Sequence, residues 1–145
     1  MKTVSLVTEK TYKKVVKPIL FKIDPEKVHN GTVSLSKATA KLPIVPNALY
    51  KLWSFQSEIL EQEIDGVKYL NPIGLAGGYD KNAELTNFIP HLGMGFMEVG
   101  SITAEYCSGN TGKRLWRMPN SKSILVYYGL KNDGADAIYS RIKTK

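Results

Sequence analysis

Asn71-Pro72-Ile73-Gly74-Leu75-Ala76-Gly77-Gly78-Tyr79-Asp80-Lys81 is the stretch on which the fold turns. Ile73 to Ala76 reads as a short apolar strand, and Gly77 and Gly78 break it. Asp80 then stands where it can cap a helix opening at Asn82. A strand-to-helix turn is where α/β proteins gather ligands. Two adjacent glycines clear side chains from the backbone, so a flat or anionic ligand can approach main-chain N–H groups near a helix N-terminus. Lys81 brings a positive charge to the same rim. On the spacing alone the plainer alternative stays open, in which the glycines only turn, Asp80 only caps and Lys81 only faces solvent.

Working outward, Asn82 to Leu92 reads as a helix with Gly93 as its stop, and Phe96 to Ser101 as a second buried strand. Strand, helix and strand at this spacing make a βαβ unit with a parallel pair, whose C-terminal strand ends bring Gly77 to Lys81 and Ser101 together. Just upstream, Ile59 to Ile64 and Val67 to Tyr69 flank Asp65-Gly66, a favoured hairpin turn. Pro43 and Pro46 mark a linker, followed by a short helix or turn over Ala48 to Phe55. Downstream, Thr103 to Lys113 is a loop. Its Gly109-Asn110-Thr111-Gly112-Lys113 is not a phosphate loop, because Cys107 and Arg114 stand where that motif needs Gly and Ser or Thr. Leu115 to Met118 and Ser123 to Tyr128 are strand candidates, and Ala135 to Ile142 is a final helix.

The N-terminal region is helical and basic. Thr8 to Lys22 carries Tyr12, Val15, Val16, Ile19 and Leu20 on one stripe, with Pro18 expected to kink or interrupt it. Asp24-Pro25-Glu26 is a strong start for a second helix reaching about Ala40, although Gly31 weakens it. Together the two predict a helical hairpin presenting an apolar groove. Of the net charge of +7, residues 1–41 hold +6, from nine Lys against Glu9, Asp24 and Glu26. A lysine-only arm interleaved with apolar residues suits an anionic membrane surface. It holds no Arg, so nucleic acid is not an expected partner.

The 145 residues, 43% hydrophobic and 23% charged, read as one globular domain. Cys107 is the single cysteine, so neither an internal disulfide nor a cysteine metal cluster is expected. No run approaches the roughly 18 apolar residues of a membrane span, and the first residues lack an export signal's apolar core.

The order of these elements and four motifs resemble the quinone-dependent (class 2) dihydroorotate dehydrogenases. Pro18 to His29 is similar to that family's Pro-x-Leu-Phe-x-x-Asp-Pro-Glu-x-x-His, and Asn71 to Lys81 to its Asn-Pro-x-Gly-Leu-Ala-Ala-Gly-Phe-Asp-Lys. Phe96 to Thr103 and Gly109 through Arg117 match the next two segments. The resemblance implies an α/β fold, the N-terminal part of a (β/α)8 TIM barrel preceded by the helical hairpin. Residues 1–45 would form the membrane-docking, quinone-admitting module and residues 46–145 the first βα units. It implies FMN as cofactor, with Ala76, Gly77, Gly78, Tyr79, Asp80, Lys81 and Ser101 along the flavin. It further implies oxidation of dihydroorotate to orotate in pyrimidine biosynthesis, with Lys81 also meeting the substrate carboxylate. The location implied is peripheral, on the cytoplasmic face of a bacterial inner membrane.

Departures from the family pattern qualify this. Where the family reads Ile-Asn-Arg-Met-Gly-Phe-Asn-Asn, this chain has Leu125-Val126-Tyr127-Tyr128-Gly129-Leu130-Lys131-Asn132. The substrate-binding segment is thus Val126, Tyr127, Tyr128, Gly129 and Leu130, with an apolar Val126 in place of the amide that binds orotate. Gly77 for Ala and Ser101 for Thr are milder. A closed barrel takes about 250 residues, so the reading expects an incomplete barrel. The family's catalytic Ser base and phosphate-binding glycines lie further along than this sequence runs, and no catalytic base or metal ligand is assigned here. The expectation is an inactive N-terminal fragment of the enzyme; the alternative is a non-catalytic membrane-surface or interaction module.

Overall fold

The computed structural model describes residues 2–42 and 44–143. Pro43, read as part of a linker, lies outside the described residues, as do Met1, Thr144 and Lys145. The N-terminal stripe forms α1 (Lys2–Thr11), a π-helical turn (Tyr12–Val16) and α2 (Lys17–Leu20). Pro18 has no N–H to donate and its ring crowds the carbonyl four residues back. The chain meets this by widening rather than breaking: the Lys17 N–H reaches back to the Tyr12 carbonyl immediately before the proline.

The second helix, α3 (Pro25–Ala40), starts where the sequence places it. Asp24 has an extended ψ of 131°, and its carboxylate accepts the N–H groups of Glu26 and Lys27 at 3.0 and 3.1 Å. Pro46 corrects the linker expectation, because it sits buried in the first turn of α4 (Ile44–Trp53), where a helix needs no proline N–H. The Asp65-Gly66 turn joins β1 (Gln62–Ile64) to β2 (Val67–Tyr69) in an antiparallel hairpin. Ile59 and Leu60, read as strand, belong instead to a 3-10 turn.

The central pair is parallel, as the βαβ reading requires: β3 (Gly74–Leu75) lies beside β4 (Phe96–Met97) in the register Gly74 to Phe96 and Leu75 to Met97. The crossover differs from expectation. No α-helix spans Asn82 to Leu92; bends lead to a 3-10 turn at Ile89–Leu92. Asp80 is the reason. Its carboxylate accepts from Asn82 N at 3.2 Å, Glu84 N at 3.0 Å and Leu85 N at 2.8 Å, reaching past an ordinary helix cap. Ala83 takes a positive φ of 55°, which no α-helix tolerates. Gly93, with φ of 82°, does end the segment, and a side chain there would press on the Trp53 carbonyl at the end of α4.

The last two strand candidates pair with each other. β5 (Leu115–Met118) and β6 (Ser123–Val126) form an antiparallel hairpin of their own, so the described residues hold three two-stranded sheets. The chain closes with α5 (Ala135–Lys143), anchored by the buried Ile138. The core lies under the crossover: Leu85, Phe88 and Ile89 are buried against Val33 of α3, Leu49 of α4, and Leu75 and Met97 of the parallel pair. Leu85 is fully buried. Leu85→Ala is therefore expected to cost about 2–5 kcal/mol, read as a lower urea midpoint with an unchanged slope.

Candidate functional site

Three segments converge on an open cavity of about 450 Å³: the Gly77-Gly78 turn after β3, Glu98 to Ser101 after β4, and Val126 to Lys131 after β6. Gly78 holds φ at 98°, and its N–H donates to the Gly100 carbonyl at 3.1 Å. The Gly77 N–H donates to Glu98 Oε2, also at 3.1 Å. Both glycine donors are thus engaged within the protein, and no α-helix follows them. This corrects the expectation of free N–H groups at a helix N-terminus; the glycines offer bare backbone surface, and the cavity's cations are side chains.

Lys81 is the first of these. Its ammonium donates to the Gly78 carbonyl and lies 4.7 Å from the centroid of the Tyr128 ring. Burial lowers its pKa, and Lys131 and Arg114 lower it further. Tyr128 is only 6% exposed, and Arg114 also stands 4.9 Å from its ring centroid. Its buried hydroxyl has no hydrogen-bond partner among the described residues. Burial first, then Glu26, pushes the Tyr128 pKa up to about 12.

The loop after Cys107 braces this wall. Asn110 donates its amide to the Tyr127 carbonyl at 3.0 Å and its backbone N–H to the Tyr128 carbonyl at 2.9 Å. Arg114 bonds the Ser108 and Asn110 carbonyls and pairs with the Glu26 carboxylate in the first turn of α3. That ion pair raises the Arg114 pKa and ties the helical region to the site. A second, largely apolar groove of about 790 Å³ opens between Tyr12, Leu20, Phe21 and Val28 of the helical region and Leu115 and Ile124 of the hairpin. His29 and Tyr79 border this groove, their rings 5.1 Å apart and edge to face.

A family model for dihydroorotate dehydrogenase matches residues 59–145. The chain belongs to the dihydroorotate dehydrogenase family. Among its relatives, the dihydroorotate dehydrogenase (quinone) of Christiangramia forsetii is 38% identical over 92% of this chain and 39% of that protein. The protein of the same name from Nitratiruptor sp. is 36% identical over 88% of this chain and 36% of its own length. The resemblance to the quinone class is thereby borne out, and the chain spans under two-fifths of these relatives' length. Crystal structures of DHODH from Eimeria tenella, ligand-free and in complex with ferulenol, superpose with a TM-score of 0.70 at 31% identity. They match over 83% of this chain and 30–31% of theirs.

Of the residues that the dihydroorotate dehydrogenase motifs single out, Gly77, Gly78, Lys81 and Ser101 line the 450 Å³ cavity together with Val126, Tyr127, Tyr128, Gly129 and Leu130. Three do not. Ala76 is exposed beside the turn, Tyr79 points its hydroxyl to Thr32 Oγ1 at 3.0 Å, and Asp80, 1% exposed, is spent on backbone N–H groups. Sequence reasoning missed Glu98, Val99, Gly100 and Lys131. Lys131 had a signal, since it departs from an Asn in the quoted family segment. Among the described residues no group of three His, Cys, Asp or Glu is gathered as a metal site.

His29 gives the site a pH signature. Burial, then the charges of Lys81 and Lys131, lower its pKa below 6.5. The unfolded chain therefore binds a proton more readily than the folded one in the window just below pH 6.5, and folding stability is lost as the pH falls through it. Stability measured by urea titration from pH 7.5 to 5 should show this slope, and His29→Gln should flatten it.

Proposed function

We propose that this chain forms the flavin- and substrate-contacting rim of a quinone-dependent dihydroorotate dehydrogenase. The reading is carried by one observation: the glycine turn, Lys81, Ser101 and the segment from Val126 to Leu130 all face a single cavity. The donor set suits FMN. A side chain at Gly78 would be strained at its positive φ, and Gly77 carries none either, so the floor is left bare for a flat ring. FMN, when bound, supplies the hydride acceptor for the oxidation of dihydroorotate to orotate. The protein's share is orientation and charge. The Lys81 ammonium stands ready for an anionic group, the exposed Ser101 hydroxyl offers a further hydrogen bond, and Tyr128 closes the space behind Lys81.

The same reading assigns residues 1–45 to membrane contact and quinone entry through the 790 Å³ groove, on the cytoplasmic face of a bacterial inner membrane. Support comes from Val15, Ile19 and Phe21, exposed among Lys13, Lys14, Lys17 and Lys22. No helix among the described residues is long and apolar enough to cross a membrane.

Titrating the chain with FMN and following flavin fluorescence tests the rim. We expect saturable, near-stoichiometric quenching, weakened roughly tenfold by Lys81→Met, about 1.4 kcal/mol; a chain that leaves FMN fluorescence unchanged overturns the reading. Separately, the chain should co-sediment with vesicles containing phosphatidylserine at about 50 mM salt and release at about 0.5 M, as screening of lysine charge requires.

A further inference from the structure

The charges around the 450 Å³ cavity do not cancel. Arg114 is neutralised by Glu26, and Lys37, on the neighbouring helix face, by Glu84. Among the described residues Lys81 has only the Gly78 carbonyl and the face of Tyr128. Lys131 lines the same cavity, and its ammonium has no acid or hydrogen-bond acceptor among the described residues. Glu98 also lines the cavity, its carboxylate accepting the Gly77 N–H, so the lining sets two lysines against one carboxylate; Asp80 is spent on three backbone N–H groups. A smaller polar recess of about 290 Å³ also has both Lys81 and Lys131 on its walls, beside His29, the hydrogen-bonded Asp80 and the Lys37–Glu84 pair. Burial lowers the basicity of Lys81 and His29, and the charge of Lys131 lowers both further.

The segment that carries Lys131 is apolar at two of its other cavity-lining positions. Val126 is 57% exposed, and Leu130 is exposed beside it. In the family segment, amide side chains stand at the positions of both Val126 and Lys131. This chain has lost one amide to a side chain that cannot hydrogen-bond and turned the other into a cation in the same cavity.

We infer that Lys131 is a specificity-determining residue of this cavity, holding, with Lys81, the carboxylate of a small planar ligand whose ring lies against Val126. The inference rests on the proposed function only for the ligand's identity as a dihydroorotate-like carboxylate. Two ammonium groups converging on one carboxylate recover, as charge-assisted hydrogen bonds, the polar recognition that Val126 removes. Binding then depends on the ligand's charge more than on its ring edge.

The test compares orotate with uracil, the same ring without the carboxylate, by calorimetric titration of the full chain at low salt. We expect orotate to bind more tightly than uracil. Lys131→Gln should lose roughly tenfold in orotate affinity, about 1.4 kcal/mol, with uracil unchanged. Lys131→Arg should restore most of the loss. Lys51→Gln, which removes an exposed charge on α4, should behave as the unaltered chain, and circular dichroism verifies the fold of each variant. Unchanged orotate affinity in Lys131→Gln overturns the inference, as does an equal loss in Lys51→Gln or a failure to prefer orotate over uracil. FMN titration of the same proteins separates the two ideas. Flavin binding together with orotate affinity indifferent to Lys131 leaves the proposed function standing and removes the inference, whereas Lys131-dependent orotate binding without flavin binding does the reverse.

Discussion

The carboxylate of Asp80 is the constraint on which the other parts depend. Burying a carboxylate is costly unless it is fully hydrogen-bonded, and Asp80 meets that condition with three backbone N–H groups drawn from the next five residues. In doing so it wraps the chain after β3 around itself. The wrap sends Leu85 down into the core beside Phe88 and Ile89, and leaves Lys81 on the cavity side. Core packing and ligand recognition are therefore set by one side chain, which is almost fully buried and lies outside the 450 Å³ cavity.

A second constraint fastens the basic helices to this centre. Two arginines at the start of the second hairpin, Arg114 just before β5 and Arg117 within it, both reach the helical region. Arg114 takes the Glu26 carboxylate, while Arg117 takes the Ile23 carbonyl at 2.7 Å and stacks over Phe21. Tyr79 adds its bond to Thr32. The apolar groove is thus bordered by polar fastenings, an arrangement that holds helices in place while leaving apolar side chains uncovered.

What was legible in the sequence was local. Asp24-Pro25-Glu26 starts a helix because capping involves only neighbouring residues, and Asp65-Gly66 turns a hairpin for the same reason. The parallel pairing of β3 and β4 and the meeting of the glycine turn with Ser101 also followed from element order and spacing. The helix expected over Asn82 to Leu92 failed because Asp80 reaches to Leu85, a choice made by tertiary packing around Leu85 and not by helix propensity. The glycine N–H groups were misjudged because their acceptors, Glu98 and the Gly100 carbonyl, lie about twenty residues away. Lys131 was passed over since a lone lysine in a turn is ordinarily solvated; its meaning depends on Lys81 standing across the same space.

The division of the described strands into three separate ladders has a mechanical consequence. One wall of the cavity belongs to the β3 and β4 pair, and the facing wall follows the β5 and β6 hairpin, with no strand pairing between them. The gap between the walls is held by loop hydrogen bonds, such as the Asp133 N–H to the Asn82 side chain at 3.0 Å and the Arg141 guanidinium to the Asn82 carbonyl at 3.1 Å. A backbone ladder would fix that width to within the stiffness of a sheet. Side-chain struts are softer, so the aperture can adjust to the thickness of what enters, and part of any binding energy is spent on setting it.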